Sequence, residues 1–336
     1  MKRILAAIVA VASIFASIFA GTIATSGTAL AGGPPPGFLY NDYFESIPLT
    51  VNGDYEPLFL FCDAGDGGAS ILWYGAGSAP DHLWHFTSED PIAYTSTPKT
   101  VNGVYEPLLG DFDGDGCDDI IWYTPGPGAD YVWWGGPDDT FTSEALTING
   151  TYEPVVGYFG EDDNADIFWY APGSGSESFW TGAADRSFTS TPGPAVSGTY
   201  RVAAVGSAIL FHRPGPGADY LWTDVESETG AHDQQVTAIN GTYEPQASLV
   251  GFLLYAPGPA KDYALVRIEE DGTPYTFPAT INGTYETGIR SPRGTLVHLW
   301  YAPGPQADYL WVPSRAEGGA ADAFDASAPR PEFGGR

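Results

Sequence analysis

An Asn-Gly pair followed two residues later by tyrosine returns at Asn52-Gly53, Asn102-Gly103, Asn149-Gly150, Asn240-Gly241 and Asn282-Gly283, with Ser197-Gly198 taking its place once. Successive markers lie 50, 47, 48, 43 and 42 residues apart. No other feature constrains the fold as much. A period of this length means that one supersecondary unit is copied, and each copy must bury its apolar face against its neighbours. The order inside a unit is constant: NGxYEP, a short apolar run, a loop, a run ending in Trp-Tyr or its equivalent, a PGPGAD turn, a run ending in Leu-Trp, then FTS or its remnant.

Each unit thus offers four strands. In the second copy they are predicted at 105–110, 119–123, 131–134 and 141–146, each rich in β-branched or aromatic residues and bounded by Gly and Pro. Four short strands per 40 to 50 residues is the pattern of a β-propeller blade, and the Pro-Gly density excludes stacked helix pairs. The expected fold is all-β, a six-bladed β-propeller of four-stranded blades, with seven blades as the alternative. The segment 38–50 matches the tail of a unit, Phe44-Glu45-Ser46 standing where Phe141-Thr142-Ser143 stands, whereas the last unit stops after Asp308-Tyr309-Leu310-Trp311. The spare N-terminal strand should therefore complete the final blade and remove an exposed edge.

Residues 1–31 stand apart from the repeats. Lys2 and Arg3 precede an apolar run from Ile4 to Phe19, and Ala29-Leu30-Ala31 is a small-x-small site, so a secretory signal peptide is expected. The run is short for a membrane span, which needs about twenty apolar residues. A single propeller domain is expected over 32–312 and a disordered tail over 313–336, where Ala, Gly, Ser and Pro dominate. Export to the extracellular space places Cys62 and Cys117, which fall in the same loop of adjacent units, in an oxidising setting; both a disulfide and two free thiols are open readings. The formal net charge of −29 repels polyanions, so nucleic acid and anionic lipid are not expected partners. A monomer with an extracellular glycan or protein as partner is expected.

The second unit carries Asp111, Asp113, Asp115 and Asp119 in a D-x-D-x-D-G-x-x-D pattern, with Gly116 at the sixth place and Cys117 at the seventh. Oxygen side chains at places 1, 3, 5 and 9 and a backbone carbonyl at 7 suit Ca²⁺. A strand follows in place of the helix and place-12 glutamate of an EF-hand. The first unit offers Cys62, Ala64, Asp66 and Ser70 at these places and the third Tyr158, Gly160, Asp162 and Asp166, so one site is expected.

The run GDFDGDGCDDIIWY resembles the FG-GAP or VCBS-type repeat, familiar from the calcium-binding blades of integrin α-subunit propellers and from secreted bacterial proteins. The likeness covers the second unit well and the first and third in part. It implies a propeller with Asp111, Asp113, Asp115, Cys117 through its carbonyl, and Asp119 as metal ligands. Propellers of that kind usually have seven or eight blades, so six departs from the habit.

Asp81, Asp130, Asp219, Asp262 and Asp308 share one place after the PGPGAD turn, and Trp84, Trp133, Trp180, Trp222 and Trp311 another. Acids beside aromatic rings suit sugar hydroxyls and apolar sugar faces. The same residues equally suit turn capping and packing between blades. These turns share a face with the Asn-Gly connectors and with Glu56, Glu106, Glu153, Glu244 and Glu286. No Gly-x-Ser-x-Gly elbow, His-Glu-x-x-His or phosphate loop is present, and His212 and His298 stand where the second unit has Tyr123 and Ile120, as packed substitutes. The expectation is a secreted, non-catalytic, calcium-stabilised binding or adhesion module, with a polysaccharide lyase or glycoside hydrolase using carboxylates on the propeller face as the alternative.

Overall fold

The computed structural model describes residues 44–63, 68–89, 92–160, 162–248, 251–281, 283–290, 297–303 and 307–313. The expected signal peptide over 1–31, the expected tail beyond Pro313 and the marker residue Asn282 lie outside them. The described residues fold into twenty-four strands, beginning with β1 (Phe44–Leu49). Blade 1 is β2 (Glu56–Cys62), β3 (Gly68–Tyr74), β4 (Asp81–Glu89) and β5 (Ile92–Lys99). Blade 2 is β6 (Glu106–Gly110), β7 (Asp119–Tyr123), β8 (Asp130–Gly136) and β9 (Thr140–Leu146), and blade 3 is β10 (Glu153–Gly157), β11 (Asp166–Tyr170), β12 (Ser178–Ala183) and β13 (Ser187–Pro192). Blade 4 is β14 (Arg201–Val205), β15 (Ala208–His212), β16 (Asp219–Thr223) and β17 (Asp233–Thr237), and blade 5 is β18 (Glu244–Ser248), β19 (Gly251–Tyr255), β20 (Asp262–Ile268) and β21 (Pro274–Ala279). Blade 6 has β22 (Glu286–Arg290), β23 (Val297–Tyr301) and β24 (Asp308–Pro313). Every blade is an antiparallel meander, and β1 is the fourth strand of blade 6.

The fold is therefore a six-bladed β-propeller closed by its N-terminal strand. Ser46 faces Trp311 in the closing pair, the register that Ser143 has opposite Trp133 in blade 2. Phe44 stacks on Trp311 with centroids 5.5 Å apart, so the closing strand brings its own aromatic anchor. The innermost strands β2, β6, β10, β14, β18 and β22 neighbour one another around the axis and wall a central channel.

Sequence explains the layering. The second strand of a blade has a sheet neighbour on each side and another blade over each face, so β7 (DIIWY) and β11 (DIFWY) are buried at every position. The outer strand β9 (TFTSEAL) meets solvent, with only Phe141 and Leu146 partly buried. Trp122 on β7 shows how blades are joined: its ring meets Tyr74 of blade 1 at 5.0 Å, Tyr105 at 5.9 Å and Trp133 at 5.2 Å. Trp73, Trp169 and Trp300 repeat the cage in blades 1, 3 and 6, and Phe211 takes the place in blade 4. Clusters of this kind, rather than one central core, hold the ring.

The marker itself is a hinge between blades. The hydroxyl of Tyr74 donates to the carbonyl of Gly103 at 2.8 Å and accepts from the backbone N–H of Tyr105 at 2.9 Å. Tyr123, Tyr170, Tyr255 and Tyr301 do the same for the following connectors. Gly103 sits at φ 145°, and a Cβ there would lie 2.4 Å from the ring of Tyr105. Only glycine fits that close approach, which is why the marker keeps it in every unit.

Candidate functional site

The PGPGAD turns, the connectors and the first residue of each inner strand lie on one face. The aspartates of those turns are buried in the fold. Oδ1 of Asp130 accepts the backbone N–H of Thr124 at 2.8 Å and Oδ2 that of Ile148 at 2.8 Å. Asp81, Asp219, Asp262 and Asp308 form the same two bonds, in each case one to the turn and one to the next connector. All five are at most 1% exposed, so no ligand can touch them without opening the turn. Trp84, Trp133, Trp180 and Trp311 are half-buried and Trp222 is buried, each wedged between aromatic rings of its own blade: Trp84, for instance, stacks on Tyr94 at 4.0 Å. Turn capping and packing describe both sets of residues.

What the face does present is a ring of charge around the axis. Glu56, Glu106, Glu153, Arg201, Glu244 and Glu286 open the six inner strands, and each pairs in register with the last residue of the second strand, Tyr74, Tyr123, Tyr170, His212, Tyr255 and Tyr301 respectively. All five glutamates are exposed at the channel mouth. Protein crowding and neighbouring carboxylates push Glu56 up to about 7, Glu286 and Glu106 adding to the burial; Glu106 is pushed up to about 7 by burial and then Glu153. Glu153 and Glu286 are also raised, chiefly by burial, while Arg201 draws Glu153 back down. These carboxyls are accessible yet recessed, so the channel walls displace much of the water that would otherwise stabilise their charge.

Blade 4 breaks the ring's symmetry. Arg201 donates through Nη1 to the carbonyl of Tyr243 at 2.8 Å and lies 3.6 Å from Glu244 Oε1. Its register partner His212 replaces the interblade tyrosine: Nδ1 and Asp219 Oδ1 are 2.9 Å apart, and Nε2 receives the N–H of Tyr243 at 3.4 Å. Glu106, Glu153, Arg201 and Glu244 line a cavity of about 290 Å³ with Pro154, Val155, Val202, Pro245 and Gln246. A second cavity of about 410 Å³ continues along Val156, Ala204, Ala247 and Thr287. The change from NGxYEP to SGTYRV marked this blade in the sequence, but the meeting of these residues on one axis becomes visible only once the ring is closed.

The acidic loop lies at the other end of the blades, between β6 and β7. Asp111, Asp113 and Asp115 bring one carboxylate oxygen each within 4.8 Å of the others. Backbone N–H groups of Asp115, Gly116 and Cys117 hold one oxygen of Asp113, Asp111 and Asp115 respectively, at 3.1, 3.0 and 2.9 Å. Oδ1 of Asp111 is shut off from solvent with no hydrogen-bond partner, and burial, reinforced by the neighbouring acids, pushes this carboxyl up to about 6. An orphaned acceptor beside two further carboxylates fits a hard divalent cation. Asp119 stands outside that group: its oxygens accept the N–H of Phe112 at 2.8 Å and of Gly135 at 2.7 Å, and burial pushes it up to about 8. Cys62 and Cys117 form a disulfide that ties the loop to blade 1, and the N–H of Asp63 donates to the carbonyl of Gly116 at 2.8 Å.

Neither remaining histidine cluster makes a catalytic relay. His298 is fully buried, lies parallel to Trp300 and is held neutral by burial, its pKa lowered to about 3. His85, Ser70 and Asp139 meet between blades 1 and 2, but the Ser70 hydroxyl at 3.2 Å and the Asp139 carboxylate at 2.9 Å address the same ring nitrogen. Ser70 also donates directly to Asp139 and is 1% exposed, so it has neither a base of its own nor access to substrate. No protein-family model matches this sequence, and no curated protein matches it.

Proposed function

We propose that this chain is a secreted, non-catalytic binding propeller of the FG-GAP or VCBS type, stabilised by Ca²⁺ in the loop of blade 2, that recognises an extracellular glycan or protein at the axial cavity of its connector face. The observation that carries the reading is the ring of five glutamates and one arginine, of which Glu106, Glu153, Glu244 and Arg201 line that cavity. Carboxylates pushed up by burial and by one another are relieved by a positive charge, so the ligand should present one: an amino sugar, or a lysine or arginine of a protein. Val155, Val202 and the two prolines supply apolar wall for the rest of the ligand.

The test is calorimetric titration with glucosamine oligomers, the matched N-acetylated oligomers and a Lys-rich peptide, on the full chain and on Glu106→Gln/Glu153→Gln. Binding confined to the cationic probes and lost in the double variant is expected; equal binding of the neutral oligomers would overturn the site. Glu106, pushed up to about 7 by burial and then by Glu153, also has the character of a general acid, which favours the hydrolase or lyase reading as the second choice. Release of reducing or unsaturated ends from any polysaccharide would establish that reading instead. For the metal, EGTA should lower Tm and Asp113→Ala should abolish the response.

A further inference from the structure

Among the described residues, blades 1, 2 and 3 are each overhung, at the end where the first strand turns into the second, by residues from beyond the third strand of the following blade. Asp139 of blade 2 meets Ser70 and His85 of blade 1, and Ser227 of blade 4 donates to Asp166 of blade 3 at 3.1 Å. Glu228 lies beside the same blade 3 loop: a side chain at Gly160 would be 3.3 Å from Glu228 Oε1, Asp162 Oδ1 and Asp166 Oδ2. Over the acidic loop of blade 2 the overhanging residue is Arg186, in the turn between β12 and β13 at φ 65°.

The guanidinium takes the outward oxygens of two candidate ligands. Nε donates to Asp113 Oδ2 at 2.8 Å and Nη2 lies 3.8 Å from Asp115 Oδ2, while the opposite oxygen of each carboxylate is already held by the loop's own backbone. The same group sits 5.6 Å from the ring of Trp134. Asp113 is 3% exposed in its side chain, so in a loop of four acids this contact supplies the positive charge that a buried carboxylate needs. The side chain of Arg186 is 41% exposed and can leave towards solvent.

Resting on the calcium reading above, we infer that Arg186 is a tethered counter-cation that Ca²⁺ must displace to enter the loop. The blade 2 to blade 3 ion pair and the metal are then alternative occupants of one set of oxygens. The arginine supports the loop when the ion is scarce and sets the concentration at which the ion takes over. Binding should also move the guanidinium away from Trp134.

Calcium titration of the full chain, its Arg186→Gln variant and its Arg186→Lys variant, read by calorimetry and by tryptophan emission, tests this. Removing the competing charge should tighten Ca²⁺ binding about tenfold in Arg186→Gln, with Arg186→Lys in between. Calcium should alter tryptophan emission in the wild type and not in Arg186→Gln, whose metal-free Tm is lower and whose rise in Tm with Ca²⁺ is larger. Equal affinities in the three proteins would overturn the displacement and leave the calcium site standing. Absence of Ca²⁺ binding in all three would overturn both.

Discussion

At the residue scale, the turn aspartate that five of the six blades share shows how a charged side chain can be structural. Asp130 is 1% exposed, yet each oxygen receives a backbone N–H that neither the turn nor the connector can pair by itself. Asp130→Ala would orphan two buried donors and should cost about 3–5 kcal/mol, whereas Asp130→Asn keeps one acceptor and should cost about 1–3 kcal/mol. Urea unfolding at an unchanged m-value measures both; a midpoint unmoved by the alanine would show that the turn finds other partners. Asp119 makes the equivalent pair of bonds at the opposite end of the blade, to Phe112 and Gly135. Its place in the D-x-D-x-D-G-x-x-D pattern pointed to a metal, and a one-letter code does not distinguish an oxygen aimed at an ion from one aimed at a backbone N–H. Asp111, Asp113 and Asp115, one loop turn earlier, are the acids that converge.

At the scale of elements, the links between blades decide stability, because each blade buries its faces only against its neighbours. The Cys62–Cys117 disulfide closes a 55-residue separation and joins blades 1 and 2 at the acidic loop. Replacing both cysteines by serine should lower stability by about 2–4 kcal/mol, read as a lower Tm that reductant no longer shifts. A wild-type melting curve indifferent to reductant would oppose this. The closing strand is the second such link: Phe44 stacks on Trp311, and the N–H of Val51 donates to Asp308 across the join at 2.7 Å. Deleting residues 44–49 should leave β24 as an open edge and give a species that melts lower and self-associates, seen by light scattering. Blade number, strand order and this closure were legible because turn chemistry and aromatic runs are local signals that repeat six times. The overhanging contacts were not legible. Arg186 lies 73 residues from Asp113, in a turn whose sequence differs in every unit, and only the handedness of the ring brings the two together.

For the whole molecule, the closed ring holds five glutamates around one axis, and that arrangement should make stability depend on pH. Glu56 and Glu106 have folded pKa values of about 7 against an ordinary 4.5, and Glu153 and Glu286 are displaced the same way. The folded state therefore binds more protons than the unfolded chain between about pH 4.5 and 7, so the contribution of the ring is fully present below that window and is lost as pH rises through it. His298 acts in the opposite sense: neutral in the fold and lowered to about 3, it contributes stability that is present above 6.5 and lost as pH falls. Arg201 offsets the ring in blade 4 alone, and it draws on Glu153 and Glu244 rather than on Glu56. The contrast between proteins isolates the ring from these other groups. Glu56→Gln/Glu106→Gln should melt at a higher temperature than the wild type at pH 8 and low salt, with the gap closing towards pH 5. Added salt should narrow the gap at pH 8, because exposed carboxylates are screened. A gap that stays constant from pH 5 to 8 would mean that the glutamines act through packing and that the ring carries no electrostatic strain. The same strain is what a cationic ligand would relieve, so saturating ligand should raise the wild-type Tm more at pH 8 than at pH 5.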